Sequence, residues 1–158
     1  MNRETIYLDT SVPSAYFDER NPGRMQKTKG FWIPATQDYE LVVSEVTLFE
    51  IGKTTDSIRR EEMFKLIEGL TILELSERAK KLSDAFIDGN LVPASKREDA
   101  QHLAIAVENG LDLLVSWNFS HMVSARTQKR LPEICAAQRY FKQLLILTPE
   151  SIGMKGQP

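Results

Sequence analysis

Three acids and one amide occupy positions from which they could act on a common ligand. Asp9 directly follows the apolar run Thr5-Ile6-Tyr7-Leu8. Asn118 comes just past a second run, Asp112 to Ser116. Glu50 lies on the segment that follows Leu41-Val42-Val43-Ser44, and Asp99 opens the helical stretch from Lys96 to Asn109. Ligands of open α/β sheets sit beyond the carboxyl ends of the strands. Four oxygen-bearing side chains beside such ends can therefore converge. Carboxylates held close together repel unless protons or a cation neutralise them. Oxygen donors without a cysteine cluster suit Mg²⁺ or Mn²⁺ rather than zinc. Such an ion activates water and offsets the charge of a phosphodiester. The expected metal set is Asp9, Glu50 and Asp99, with Asn118 completing the catalytic group.

Each residue also has a plainer reading. Asp9 caps the segment after it. Asp99 is a first-turn acid favoured by the helix dipole, with Glu98 as a competitor, and Glu45 is another first-turn acid. Asn118 is a turn residue. Glu50 follows Phe49 on an apolar face, where an acid without a partner is costly. The combination carries the metal reading, not any one position.

The elements that must position these groups alternate. Thr5–Leu8, Leu41–Ser44, Thr71–Leu73, Asp112–Ser116 and Leu144–Leu147 read as strands. A short helix opens at Thr10-Ser11-Val12-Pro13, where Pro fits a first turn. Asn21-Pro22-Gly23 reads as a break. Arg24 to Tyr39 is helical, with a kink or division expected at Pro34. Ser44 caps a helix closed by Gly52. Asp56 to Glu68 is amphipathic, with Ile58, Met63, Phe64 and Ile67 at helical spacing. Ser76 caps a helix to Asp88, with Ala79, Leu82, Phe86 and Ile87 on one face. Phe119 to Tyr140 is helical with a break near Pro132, and the tail beyond Pro149 reads as loose. Strands alternating with helices predict an α/β domain around a parallel sheet.

The chain has 158 residues, enough for one domain spanning 1–158. Its net charge of −2 excludes a broadly basic nucleic-acid binder, so any grip on phosphate must be local or cation-borne. The single cysteine, Cys135, allows neither an intrachain disulfide nor a thiolate metal site, and its apolar neighbours make it a small core residue. There is no leader pattern and no apolar run of membrane-spanning length. A cytoplasmic protein with no membrane association is the expectation.

The segments Ile6-Tyr7-Leu8-Asp9-Thr10-Ser11, Val43–Ile51, Asp99-Ala100-Gln101-His102-Leu103-Ala104-Ile105-Ala106 and Leu114–Phe119 together resemble the PIN-domain family. The likeness is to the toxin ribonucleases of VapBC-type toxin–antitoxin pairs in particular. The resemblance implies a three-layer α/β/α fold with a mainly parallel central sheet. It implies a Mg²⁺- or Mn²⁺-dependent endoribonuclease that leaves 5′-phosphate and 3′-hydroxyl ends, an antitoxin partner and a homodimer. Asp9, Glu50 and Asp99 match the family's acids, and Asn118 stands where many members have Asp. Thr10, Ser11 and Ser116 are hydroxyls expected to support the ligands.

Other residues bear on substrate. His102, three positions after Asp99, is read first as a packing residue. His121, Arg126, Lys129 and Arg130 are the expected RNA contacts, and Trp32 and Trp117 are read as core. Arg24 to Trp32 is the segment expected to meet a partner. A phosphatase of the haloacid-dehalogenase type needs a second acid two residues after Asp9, where Ser11 stands. A PIN-like module that binds RNA or a partner protein without cutting is the alternative that Asn118 keeps open.

Overall fold

The computed structural model describes residues 3–152. Five strands form one sheet: β1 (Thr5–Leu8), β2 (Glu40–Ser44), β3 (Thr71–Leu73), β4 (Leu113–Val115) and β5 (Leu145–Leu147). Their order is β3-β2-β1-β4-β5 and every pairing is parallel. Tyr7 stands opposite Val42 on one side and Leu114 on the other. The chain winds outward from β1 through β2 to β3, then returns to add β4 on the other side. The crevice between the ends of β1 and β4 is therefore the switch point where ligands of such sheets collect.

Helices cover both faces. Against one face lie α1 (Ser11–Tyr16), α2 (Pro22–Asp38) and α4 (Ser57–Ile67). Val12, Phe31, Trp32 and Met63 there meet Ile6, Leu8, Val43 and Val115. Against the other face lie α5 (Glu77–Asp88), α6 (Arg97–Glu108) and α7 (Ala125–Ala137). Leu82, Phe86, Leu103, Leu131 and Cys135 there meet Tyr7, Val42, Leu114 and Ile146. Strands buried on both faces explain why they read as unbroken apolar runs. The short α3 (Glu45–Gly52) sends Val46 to one core and Ile51 to the other. Among the described residues no helix is long and apolar enough to cross a membrane.

Five local expectations change. Asn21-Pro22 begins α2 rather than breaking the chain: the Asn21 side chain accepts the Arg24 N–H, and Pro22 fills the first turn. That helix runs through Pro34 as one element. Helix α7 starts only at Ala125, where Ser124 caps it, and continues through Pro132. On α4, Met63 and Ile67 enter the core while Ile58 and Phe64 are exposed. Past Pro149 the chain remains packed as far as Ile152, which is buried, with Thr148 and Ser151 bonded to each other. Residues 153–158, the rest of that tail, lie outside the described residues.

Candidate active site

Asp9 prolongs β1 by one residue, its N–H reaching the Val115 carbonyl at 3.4 Å. Its side chain is buried, with both oxygens occupied. Oδ1 accepts from the Ser11 hydroxyl at 2.5 Å and the Ser11 N–H at 3.1 Å. Oδ2 accepts from the Ser116 hydroxyl at 2.5 Å. Those hydroxyls in turn accept backbone N–H groups, Ser11 from Trp117 and Ser116 from Asn118, both at 2.9 Å. The carboxylate thus laces the ends of β1 and β4 together across the switch point. Burial pushes its pKa up, against the opposing pull of the charge on His102 and the two hydroxyls.

Glu50 comes from α3. Its Oε1 accepts from the Thr10 hydroxyl at 2.7 Å and bonds His102 Nε2 at 2.6 Å. His102 is buried on α6, and its Nδ1 lies 2.5 Å from the Tyr7 hydroxyl, which lies 2.7 Å from Ser44 Oγ. Tyr7, Ser44, His102 and Glu50 thus form one continuous chain of hydrogen bonds, with both ring nitrogens of His102 engaged. Burial raises the Glu50 pKa, but His102, Thr10 and the Lys53 charge outweigh it, and the carboxyl is held below its ordinary value.

Asp99, in the first turn of α6, accepts from the Asn118 amide at 3.1 Å and bonds His121 Nδ1 at 2.7 Å, all at Oδ2. Asn118 Oδ1 accepts the N–H groups of Ser120 and His121, at 3.1 and 3.0 Å. Those two backbone donors fix which end of the amide faces Asp99.

One hydrogen-bonded network therefore joins Asp9, Ser116, Asn118 and Asp99, while Glu50 reaches it through Thr10, the neighbour of Asp9. An open cleft of about 450 Å³ lies over it, walled by Glu50, Glu98, Asp99, Lys53, Lys96 and the turn from Asn118 to His121. Glu50, Asp99 and Asn118 face this cleft. Asp9, only 3 % exposed, lies behind it and not in its wall.

The donors are chemically of the kind that a hard cation takes. Their arrangement is not: among the described residues no group of three or more His, Cys, Asp or Glu side chains is placed to hold a metal ion. Each acid instead has its own partners: Asp9 the two serines at both oxygens, Glu50 Thr10 and His102 at Oε1, and Asp99 Asn118 and His121 at Oδ2. The residues as they stand do not fit the expected metal centre.

No protein-family profile and no curated protein matches the sequence. Solved structures do match it in shape. VapBC2 from Rickettsia felis, bound to a DNA fragment from their promoter, superposes with a TM-score of 0.54 at 10% identity, over 90% of this chain and 98% of that one. VapC20 of Mycobacterium tuberculosis, a sarcin–ricin loop cleaving toxin, gives 0.51 at 12% identity, over 87% and 98%. The chain has the PIN-like fold. At these identities the likeness speaks to architecture, and the side chains must be judged on their own geometry.

On that geometry, several readings of this PIN-like domain shift. His102 is buried as a packing residue would be, yet it also holds Glu50. His121 lines the cleft but is engaged with Asp99. Arg126 donates to the carbonyls of Asn90 and Leu91, and Arg130 to that of Gly89 at 3.0 Å, so both brace the turn after α5. Lys129 is exposed. Trp32 and Trp117 are core, the latter donating its indole N–H to Thr28 at 2.9 Å. Glu45 accepts the Leu75 N–H. Phe49 is exposed, so Glu50 does not sit on an apolar face, and its burial comes from Thr10 and His102. Sequence reading passed over Tyr7, Ser44 as its partner, and Lys53. A signal existed for two of them. A tyrosine in a strand buried on both faces must find a bond for its hydroxyl. Lys53, three residues after Glu50, shares its helix face.

Proposed function

We propose that this PIN-like domain is an endoribonuclease of the toxin type, acting in the cytoplasm with an antitoxin protein as partner and a second copy of itself. The observation that carries the reading is the meeting of acids from three separate elements at the switch point of a parallel sheet, beneath an open cleft. The likeness in shape to a loop-cleaving toxin supports it.

The chain's own residues suggest a division of labour. Glu50, ionised at neutral pH and fixed through one oxygen, has its other oxygen to orient an attacking water. Lys53 and Lys96 in the cleft wall meet the charge of the phosphodiester. Asp9 keeps the ends of β1 and β4 in register beneath them. Mg²⁺ or Mn²⁺ is the cofactor that the resemblance implies; with no three of these side chains placed around one point, no step is assigned to it.

The second reading is a module that binds RNA or a partner protein without cutting. The Asn118 amide favours it, because that group already donates to Asp99 as a resident partner would. Both readings meet in one experiment: initial cleavage rates on structured RNA across Mg²⁺ and Mn²⁺ series, for wild type, Asp9→Asn and Asn118→Asp. The nuclease reading expects cleavage by wild type and slower cleavage by Asp9→Asn, because an amide cannot accept from both Ser11 and Ser116 and so loosens the register beneath Glu50; a lower metal requirement in Asn118→Asp would show that an ion acts at the site. A wild type that stays inactive at saturating metal, with Asn118→Asp melting lower and equally inactive, favours the binding module instead.

A further inference from the structure

Both bonds to Glu50 Oε1 come from outside α3, from Thr10 ahead of α1 and from His102 on α6. His102 is 1% exposed and has no place in the cleft wall. Its Nδ1 meets the Tyr7 hydroxyl at 2.5 Å, and the two rings stand edge to face with centroids 5.6 Å apart. Tyr7 is fully buried on β1, the middle strand of the sheet, and its hydroxyl also bonds Ser44 Oγ at 2.7 Å. Ser44 is the cap of α3 and takes the Val46 N–H at 3.2 Å. The chain of bonds therefore leaves α3 at its cap, passes through β1 and α6, and returns to α3 at Glu50.

Packing alone does not call for this arrangement. A buried hydroxyl and a buried imidazole each cost free energy until they are bonded. Apolar side chains of the same shape fill such a space at little or no loss of stability. What the polar pair adds is direction. A ring bonded at Nδ1 cannot turn without breaking that bond, so its Nε2 stays on Glu50. Oε1 is thereby taken. Among the described residues no hydrogen bond reaches Oε2, the oxygen left to the cleft whose wall Glu50 forms.

We propose that Tyr7 and His102 are positioning residues for Glu50: the buried phenol locks the imidazole, and the imidazole holds the carboxylate so that its other oxygen is presented to the cleft. The proposal rests on the reading of Glu50 as the group that orients an attacking water. Neither Tyr7 nor His102 lines the cleft, so both act through Glu50.

The test uses the full-length protein with three substitutions at one position and one at its partner. His102→Leu fills the space and removes both bonds. His102→Asn carries an amide only as far as the Nδ1 side of the ring, whereas His102→Gln carries one as far as Nε2. Tyr7→Phe removes a single hydroxyl. Steady-state cleavage of a structured RNA is measured well below the lowest melting temperature of the set, so that loss of fold does not enter, and a crystal structure of each variant locates the Glu50 side chain. His102→Leu and His102→Asn are expected to lower kcat on the order of 10²-fold at unchanged KM, with Glu50 turned out of its wild-type rotamer. His102→Gln is expected to recover much of the rate and to keep Glu50 in place. Tyr7→Phe should move kcat in the same direction as His102→Leu, but by less. A merely structural histidine predicts rates per folded molecule equal to wild type, no advantage of His102→Gln over His102→Asn, and Glu50 unmoved. Any of those results, or a loss carried by KM, overturns the proposal. If wild type never cuts, the nuclease reading falls and the structures decide alone: Glu50 displaced in His102→Leu and His102→Asn but not in His102→Gln sustains the positioning role, and Glu50 unmoved in all of them ends it.

Discussion

Two carboxyl groups of the network are pushed in opposite directions, and that difference is measurable. Asp9 has a raised pKa because it is buried, so its ionised form opposes folding. That penalty grows as pH rises from the ordinary value, 3.8, through the raised one. Asp9→Asn removes the charge at nearly constant volume and should raise the melting temperature of the metal-free protein at pH 7. The gain should fade as acid protonates the wild-type side chain. Glu50 is the reverse: its pKa lies below 4.5, so its ionised form adds stability above that value and loses it as pH falls through the depressed one. Glu50→Gln should cost about 1–2 kcal/mol at pH 7 and almost nothing in strong acid. Melting curves of both variants from pH 3 to 8 check the pair. Shifts of the same sign at neutral pH would contradict the electrostatic assignment.

Among the elements, α7 shows how a basic cluster can be structural. Arg126 and Arg130 face back toward the turn from Gly89 to Leu91, where Asn90 takes a positive φ of 58° and leaves carbonyls pointing outward. The guanidinium groups satisfy those carbonyls and pin α7 to the end of α5. Arg130→Ala should therefore lower stability by about 1 kcal/mol and leave RNA affinity unchanged. Lys53→Ala should do the opposite, weakening RNA binding with little change in melting temperature. If Arg130→Ala reduces affinity as much as Lys53→Ala does, the arginines belong to the RNA surface after all. Periodicity identified every strand and placed most helices to within a few residues. It failed at α7 because Phe119 to Ser124 looks helical in composition, yet the Asn118 side chain takes the N–H groups of Ser120 and His121 and holds a turn there.

At the scale of the whole molecule, a net charge of −2 means that any polyanion must be held by local cations and not by a general field. Lys53 and Lys96 are the lysines in the cleft wall. On the proposed nuclease reading, two contacts to a single strand predict a log–log slope of affinity against salt of about −1.4. Titrations between low and physiological salt read it directly. A slope several times steeper would mean that a basic surface elsewhere on the molecule carries the strand.

Much of this protein is written locally. Alternating apolar runs and helical periods prescribe a parallel α/β sheet, because hydrogen bonding and burial act on neighbouring residues. An acid at the end of β1, a helix with Glu50 after β2 and Asp99 opening α6 are positions readable from spacing alone. What each acid touches is not local. Tyr7 meets His102 across 95 positions and Ser116 meets Asp9 across 107; no pattern in one segment encodes such a partner. The choice between a metal-holding cluster and three acids with separate partners depends on angstrom-scale placement of side chains from different elements. Only the packing of α3, α6 and the turn after β4 against the edge of the sheet decides it.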